Sequence, residues 1–168
     1  PASVAVVGAS DKPGTIGEIL SRNLREGGFR GPVFSVNPGH ATIGGEPAFP
    51  DVRSLPQAVD LVVIATPPRT VPTVLEHCGE RGVRGAVIVS AGFREGGEEG
   101  AACERSMLEV ARRYGLRLLG PNSFGVIRTD IGLNAACGAA LPNSGRLALV
   151  SQSSALCAAT LDWARSRH

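Results

Sequence analysis

Three glycines and a lysine near the start of the chain have the types and spacing to hold an anion. A short apolar run, Val4 to Val7, leads into Gly8-Ala9-Ser10-Asp11-Lys12-Pro13-Gly14-Thr15-Ile16-Gly17, and a helical pattern begins there. Glycine lets a chain turn sharply and brings backbone close to a ligand. The first amides of a helix have no intrahelical acceptor and sit at the positive end of its dipole. A phosphate in this bend would meet free N–H groups, that dipole and the Lys12 ammonium. The plainer alternative is that Gly8, Gly14 and Gly17 only permit tight turning and strand–helix packing. Lys12 and a capped helix beside the glycines favour phosphate.

The identity of the phosphate ligand is narrowed by what the loop lacks. The stretch after Gly8 is longer than a Gly-x-Gly-x-x-Gly dinucleotide turn. The second strand ends in Val36-Asn37-Pro38, where a nicotinamide nucleotide would want an Asp or Glu for its ribose. No Gly-Lys-Ser/Thr follows the glycines, so the P-loop pattern is absent as well. An NAD(P)-binding oxidoreductase domain is therefore disfavoured by both Asn37 and the loop spacing.

The elements that must position this loop are legible along the whole chain. Near-continuous apolar runs at Val4–Val7, Val33–Val36, Leu61–Ala65, Ala86–Val89, Leu116–Leu119 and Leu147–Val150 read as strands covered on both faces. Between them lie helical patterns with definable ends. Thr15-Ile16-Gly17-Glu18 is a capping box, followed by Ile16, Ile19, Leu20 and Leu24 on one face and a stop at Gly27-Gly28. Val71, Val74, Leu75 and Cys78 mark a second helix, with Pro72 tolerable in its first turn. Cys103, Met107, Val110, Ala111 and Tyr114 mark a third, ending at Gly115. Leu156, Ala159, Thr160 and Trp163 mark a fourth. The stretch from Gly39 to Pro56 breaks the rhythm and reads as an irregular excursion. The expectation is α/β: a doubly wound parallel sheet over residues 1–143, with residues 144–168 opening a second, truncated α/β domain. In such a sheet ligands bind outside the carboxyl ends of the strands. Those ends here are the Gly8 loop, Asn37-Pro38-Gly39, Thr66-Pro67-Pro68-Arg69, Ser90-Ala91-Gly92-Phe93 and Gly120-Pro121-Asn122-Ser123.

Composition bounds the rest. With 168 residues, 43% hydrophobic and 19% charged, the chain can build a core, and with aromatics at 4% that core must be aliphatic. The net charge of +2 is spread among acids with no basic run, which argues against nucleic acid and suits a small anionic ligand. Cys78, Cys103, Cys137 and Cys157 are widely spaced, so neither a disulfide framework nor a zinc site is expected. No apolar stretch is long enough to span a bilayer, and a reduced, cytoplasmic setting is the default expectation.

The strand-end sequences taken together are more specific than any one of them. Val6-Val7-Gly8-Ala9-Ser10, Val36-Asn37-Pro38, Val62-Val63-Ile64-Ala65-Thr66-Pro67, Ser90-Ala91-Gly92-Phe93-Arg94-Glu95, Leu119-Gly120-Pro121-Asn122 and Val150-Ser151-Gln152-Ser153 occur in this order. The series resembles the CoA-binding domain of nucleoside-diphosphate-forming acyl-CoA synthetases, relatives of the succinyl-CoA synthetase alpha subunit, over essentially the whole chain. The resemblance implies a Rossmann-like CoA-binding fold followed by the start of a flavodoxin-like ligase domain. It implies coenzyme A or acyl-CoA as cofactor, with Gly8, Ala9, Ser10, Lys12, Pro13 and Gly14 around the phosphates and Asn37 at the nucleotide portion. Thr66, Pro67, Pro68, Val89, Ser90 and Ala91 would wall the adenine and pantetheine. Gly120, Pro121 and Asn122, with Ser151, Gln152 and Ser153, would face a phosphohistidine loop; Ser154 stands where the family pattern has Gly. The alternative for Ser153 is a simple helix cap.

The resemblance also implies that thioester chemistry is completed by ligase and ATP-grasp regions outside this chain, in the same polypeptide or a partner subunit. The catalytic His would lie there too. His40, His77 and His168 are read as surface or packing residues, and Glu95, Glu98 and Glu99 as helix-start acids without a catalytic role. Related CoA-binding domains also head fused protein lysine acetyltransferases, so a non-catalytic, CoA-sensing role is the alternative.

Overall fold

A computed structural model of the chain describes residues 1–138 and 141–166. At its centre is a seven-stranded sheet. Strands β1 (Val4–Val7), β2 (Val33–Val36), β5 (Leu61–Ile64), β6 (Gly85–Ile88) and β7 (Arg117–Leu119) fall where the apolar runs predict them. Two more, β3 (Thr42–Ile43) and β4 (Glu46–Phe49), lie inside the stretch expected to be irregular. The order is β3-β4-β2-β1-β5-β6-β7, parallel throughout except that β3 runs antiparallel to β4. The Gly44-Gly45 pair turns the β3–β4 hairpin, and β4 then pairs with β2 through Ser35–Ala48 and Val36–Phe49. Prolines at 47 and 50 hid this strand. They are tolerated because β4 is short and carries the hairpin at the sheet's edge.

Alternation along each strand splits the core into two layers. Ala5 and Val7 of β1 point to the layer of helices α2 (Val71–Glu80) and α3 (Glu98–Tyr114), where Val71, Leu75, Cys78, Met107 and Val110 are buried. Val4 and Val6 point to the opposite layer, against Leu20 and Leu24 of α1 (Ile16–Glu26). Each leucine so buried contributes roughly 1.5–3 kcal/mol. No helix joins β4 to β5. A loop takes that place and drops Val52, Leu55 and Val59 into the core.

Beside α1 lies an antiparallel hairpin absent from the sequence reading, β8 (Gly125–Arg128) and β9 (Leu133–Ala136). Leu133 and Ala135 bury in the same layer as Leu20 and Leu24. Asn23 of α1 ties the hairpin down, its Nδ2 donating to the carbonyls of Ala136 and Gly138 at 2.9 Å each.

One expected strand does not form. Residues 147–150 have no regular structure and pair with no strand among the described residues, and Leu147 and Val150 are almost wholly exposed. An apolar run becomes a strand only where a neighbouring edge takes its hydrogen bonds. Helix α4 (Ser154–Arg165) follows as its pattern predicts. Its apolar face, however, is uncovered, with Leu156 and Trp163 more than half exposed.

Candidate functional site

The bend between β1 and α1 is built by close backbone approach. An ideal Cβ at Gly17 would lie 1.9 Å from the carbonyl oxygen of Gly8, so only glycine lets the helix start this near the strand end. Gly8 itself has φ +87°, and a Cβ there would meet the Ala65 carbonyl oxygen at 2.8 Å. Thr15 caps the helix as expected, accepting from the Glu18 amide at 3.3 Å. The reciprocal half of the capping box is missing. The Thr15 amide donates to Lys12 O, and Glu18 pairs with Arg22 instead at 2.7 Å.

Within the loop the Lys12 amide donates to Ser10 Oγ at 3.0 Å, while the amides of Asp11 and Gly14 donate to no described residue. Lys12, Pro13 and Gly14 are exposed, Ser10 is half-buried, and Ala9 is fully buried. Ala9 can therefore serve a ligand only through its backbone. Asp11 is turned away to accept from the Gly44 amide at 2.7 Å, which latches the loop to the β3–β4 turn. The result is an open bend with free amides, a helix N-terminus and one exposed lysine, the arrangement that suits a phosphate.

Beside it is a cleft of about 610 Å³ at the carboxyl ends of β1, β2 and β5. The strand order reverses between β1 and β5, so this is the topological switch point of the sheet. Of the residues expected from sequence, Gly8, Asn37, Thr66 and Pro67 line the cleft. Asn37 is held from both ends, its Nδ2 donating to Ala9 O at 2.8 Å and its Oδ1 accepting from the Gly39 amide at 2.9 Å. The walls include Val7, Val36, Val52 and Val74.

Five polar residues in the cleft were given no ligand role by the sequence reading: Asp51, Arg69, Thr70, Thr73 and His77. His77, expected at the surface or in packing, is half-buried and faces ligand space. Thr70, Thr73 and His77 repeat at i, i+3 and i+7, a polar stripe opposite the buried Val71, Leu75 and Cys78. That spacing is the signal which could have found them. Asp51 accepts from the Ser54 amide at 2.9 Å, and this bond holds its carboxyl below the ordinary range. The nearby His77 acts in the same direction and burial opposes it.

The remaining rim lies at the ends of the next strands along the sheet, β6 and β7. Pro68 packs against Gly92, where an added Cβ would stand 3.2 Å from the Pro68 ring. Val89 and Ser90 are buried and Ala91 is exposed. The turn Gly120-Pro121-Asn122, with a cis Gly120–Pro121 bond, folds onto them: Asn122 N donates to Ser90 O at 2.9 Å and Ser123 N to Ile88 O at 3.1 Å. Ser151, Gln152 and Ser153 are not drawn into this rim by any described hydrogen bond. Ser153 caps α4, accepting from Leu156 N at 3.2 Å, and its own amide donates to Ser151 Oγ. His40 is exposed in its loop, and His168 lies outside the described residues. No group of His, Cys, Asp and Glu among the described residues could hold a metal ion.

A parallel sheet wound in both directions from a central strand, with an amide-lined bend and an apolar cleft at its switch point, defines a nucleotide-cofactor domain of the doubly wound class. Comparison with known proteins specifies the cofactor. Residues 2–129 match the CoA binding domain family, and the chain belongs to that family. It is 46% identical over 165 residues to ADP-forming acetate–CoA ligase I of Archaeoglobus fulgidus, an alignment covering 98% of this chain and 24% of that protein. It is 47% identical over 167 residues to the alpha subunit of ADP-forming acetate–CoA ligase I of Pyrococcus furiosus, covering 97% and 36%. Among solved structures, dinucleotide-forming acetyl-coenzyme A synthetase 1 of Ca. Korarchaeum cryptofilum, in complex with phosphate and ADP, superposes with a TM-score of 0.92. The sequences are 38% identical, and the match covers 99% of this chain and 35% of that one. The chain thus spans between a quarter and somewhat over a third of these relatives. These relatives are ligases or synthetases, and the acetyltransferase-fusion alternative draws no support from them. No helix among the described residues is long and apolar enough to cross a membrane.

Proposed function

We propose that the chain is the CoA-holding portion of an ADP-forming acyl-CoA ligase. The observation that carries this reading is the open bend at Gly8–Gly17, contiguous with an apolar cleft that shares Gly8 as a wall. In this reading the pyrophosphate of CoA lies on the free amides of the bend beside Ser10, Lys12, Pro13 and Gly14, and the adenosine end enters the cleft past Asn37. The pantetheine arm runs along Thr66–Pro68 and the Val89–Ala91 edge towards Gly120–Asn122. Val89 and Ser90 support that edge from beneath, since their side chains are buried.

The chain's own contribution is to bind and orient the thiol cofactor. In the thioester-cleaving direction phosphate displaces the thiol, and the phosphoryl group of the resulting acyl phosphate passes through a histidine to ADP in ligase and ATP-grasp regions beyond this chain. In the opposite direction ATP phosphorylates that histidine, the phosphoryl group moves to the acid, and the thiol displaces inorganic phosphate from the acyl phosphate. Residues 144–166 form the opening of the second domain, and the exposed apolar residues of α4 together with Leu147 and Val150 would be covered there. Ser151, Gln152 and Ser153 would then stand at an α4 N-terminus turned to the phosphoryl relay. Four free cysteines and a thiol cofactor suit a reducing, cytoplasmic setting.

Calorimetric titration of the chain with CoA and with NAD tests the ligand. CoA should bind and NAD should not; preference for NAD would overturn the assignment. In the same assay Lys12→Ala should weaken CoA binding more than Arg25→Ala does. Equal effects would place the pyrophosphate elsewhere.

A further inference from the structure

CoA differs from most adenine nucleotides in carrying a second anionic group, the phosphate on its ribose 3′ oxygen, and a cleft built for it needs a second cation. The bend with Lys12 accounts for the pyrophosphate only. Of the residues lining the cleft, Arg69 and His77 are the only basic side chains. They are not equivalent. His77 shares the cleft with the neighbouring Asp51 carboxylate, whose negative charge offsets attraction for an anion there. Arg69 has no such partner: it makes no ion pair or hydrogen bond with any described residue. It projects from the 3-10 turn Pro68–Thr70, at the exposed lip of an otherwise largely apolar slot, one turn from the strand end that carries Thr66 and Pro67.

We propose that Arg69 receives the 3′-phosphate of CoA and makes the cleft discriminate CoA from nucleotides that lack this group. The inference rests on the CoA reading above and adds to it the residue that sets nucleotide specificity. A planar guanidinium with five donors engages phosphate through two parallel hydrogen bonds, which an ammonium cannot reproduce. The apolar walls Val36, Val52 and Val74 would hold the adenine ring between them. That fixes the ribose at the lip, where the 3′ oxygen faces outward and an exposed arginine can reach it. Arginines take the same part for the ribose phosphate of NADP in the related dinucleotide domains.

The test compares CoA with dephospho-CoA, which lacks only the 3′-phosphate, by calorimetry on the full 168-residue chain and its variants. The unmodified chain should bind CoA about tenfold more tightly than dephospho-CoA, as expected for a charge-assisted pair at a solvated lip. Arg69→Met should abolish that ratio by weakening CoA alone. Arg69→Lys should keep part of it, and higher salt should shrink it in the unmodified chain. Because Arg69 is exposed and unbonded, the variants should melt at the parent temperature; should Arg69→Met fail to fold, the partial loss in Arg69→Lys reads the same quantity. A ratio unchanged by either substitution, or equal binding of the two ligands by the unmodified chain, overturns the role of Arg69 and leaves the CoA reading standing. Binding of neither ligand overturns both.

Discussion

Replacing Gly17 by alanine puts the architecture of the bend to a direct test. The new methyl carbon would lie 1.9 Å from the Gly8 carbonyl oxygen and 3.3 Å from the Ala9 carbonyl carbon. Comfortable carbon–oxygen contacts sit at about 3.5 Å, so relief requires the helix to retreat by on the order of 1 Å. The strand end cannot yield instead, because the Gly8 amide donates to Val36 O at 2.9 Å and Ala9 O is held by Asn37. Overpacking against a fixed backbone belongs at the upper end of the usual range, about 3 kcal/mol, which for a chain of this size lowers the melting temperature by roughly 6–12 °C. The retreat carries the first-turn amides away from the proposed phosphate seat, so on that reading CoA affinity should fall by about tenfold or more. Gly14→Ala is the control. Gly14 has φ +77° but nothing within 4 Å of an added Cβ, so only the left-handed backbone is penalised, at about 1 kcal/mol. Thermal or urea unfolding and calorimetric titration read both quantities. If Gly17→Ala costs no more than Gly14→Ala, or leaves CoA binding intact, close approach of helix and strand is not what shapes the bend.

Three further expectations concern other parts of the fold. Asp11→Ala removes the latch to the Gly44 amide, so amide exchange should quicken in the β3–β4 turn while the core strands stay protected; equal protection would mean the latch is idle. The Asp60 carboxylate accepts from the amides of Ala2 and Ser3, and the Ala2 bond chiefly holds its pKa below the ordinary value. A depressed folded-state pKa stabilises above the unfolded value and is lost as pH falls through the folded one. Unfolding midpoints should therefore fall below about pH 4, and less so in Asp60→Asn. Burial pushes the Cys78 thiol up to about 12, so disulfide-exchange reagents at pH 8 should label half-buried Cys103 and Cys157 and spare Cys78 until the chain unfolds, as read by mass spectrometry.

What the sequence made legible follows from where the physics is local. The parallel strands announce themselves as near-continuous apolar runs, most fully in β1, β5 and β6, whose two faces are both covered, and helices α1 to α4 through one apolar face. The glycine bend was readable for the same reason: close approach demands residues without a side chain. The hairpin β8–β9 was missed because its strands are short and it is held against Leu20, Leu24 and Asn23 of α1, more than 100 positions away. Its turn signal, Thr129-Asp130-Ile131-Gly132 with Gly132 at φ +69°, was nevertheless present. Residues 147–150 misled in the opposite direction, since apolarity alone cannot say whether a partner edge exists. The cleft was half visible. Its strand-end residues followed from topology, but Asp51, Thr73 and His77 reach it from a loop and from the polar stripe of a helix otherwise read only for its core face. Arg69 stood at a strand end all along and acquires meaning only once its lack of a carboxylate partner is seen.

Asn37 carries a consequence for redesign. Its side chain bridges the turn after β2 to the backbone of the bend, its Nδ2 donating a hydrogen bond to Ala9 O and its Oδ1 accepting one from the Gly39 amide. An aspartate there could still take the second bond but would set its negative oxygen against the Ala9 carbonyl. The acid that would court a nicotinamide ribose is thus the group that would unfasten the loop proposed to hold a diphosphate. Exchanging cofactors in this scaffold would demand that both segments be rebuilt together.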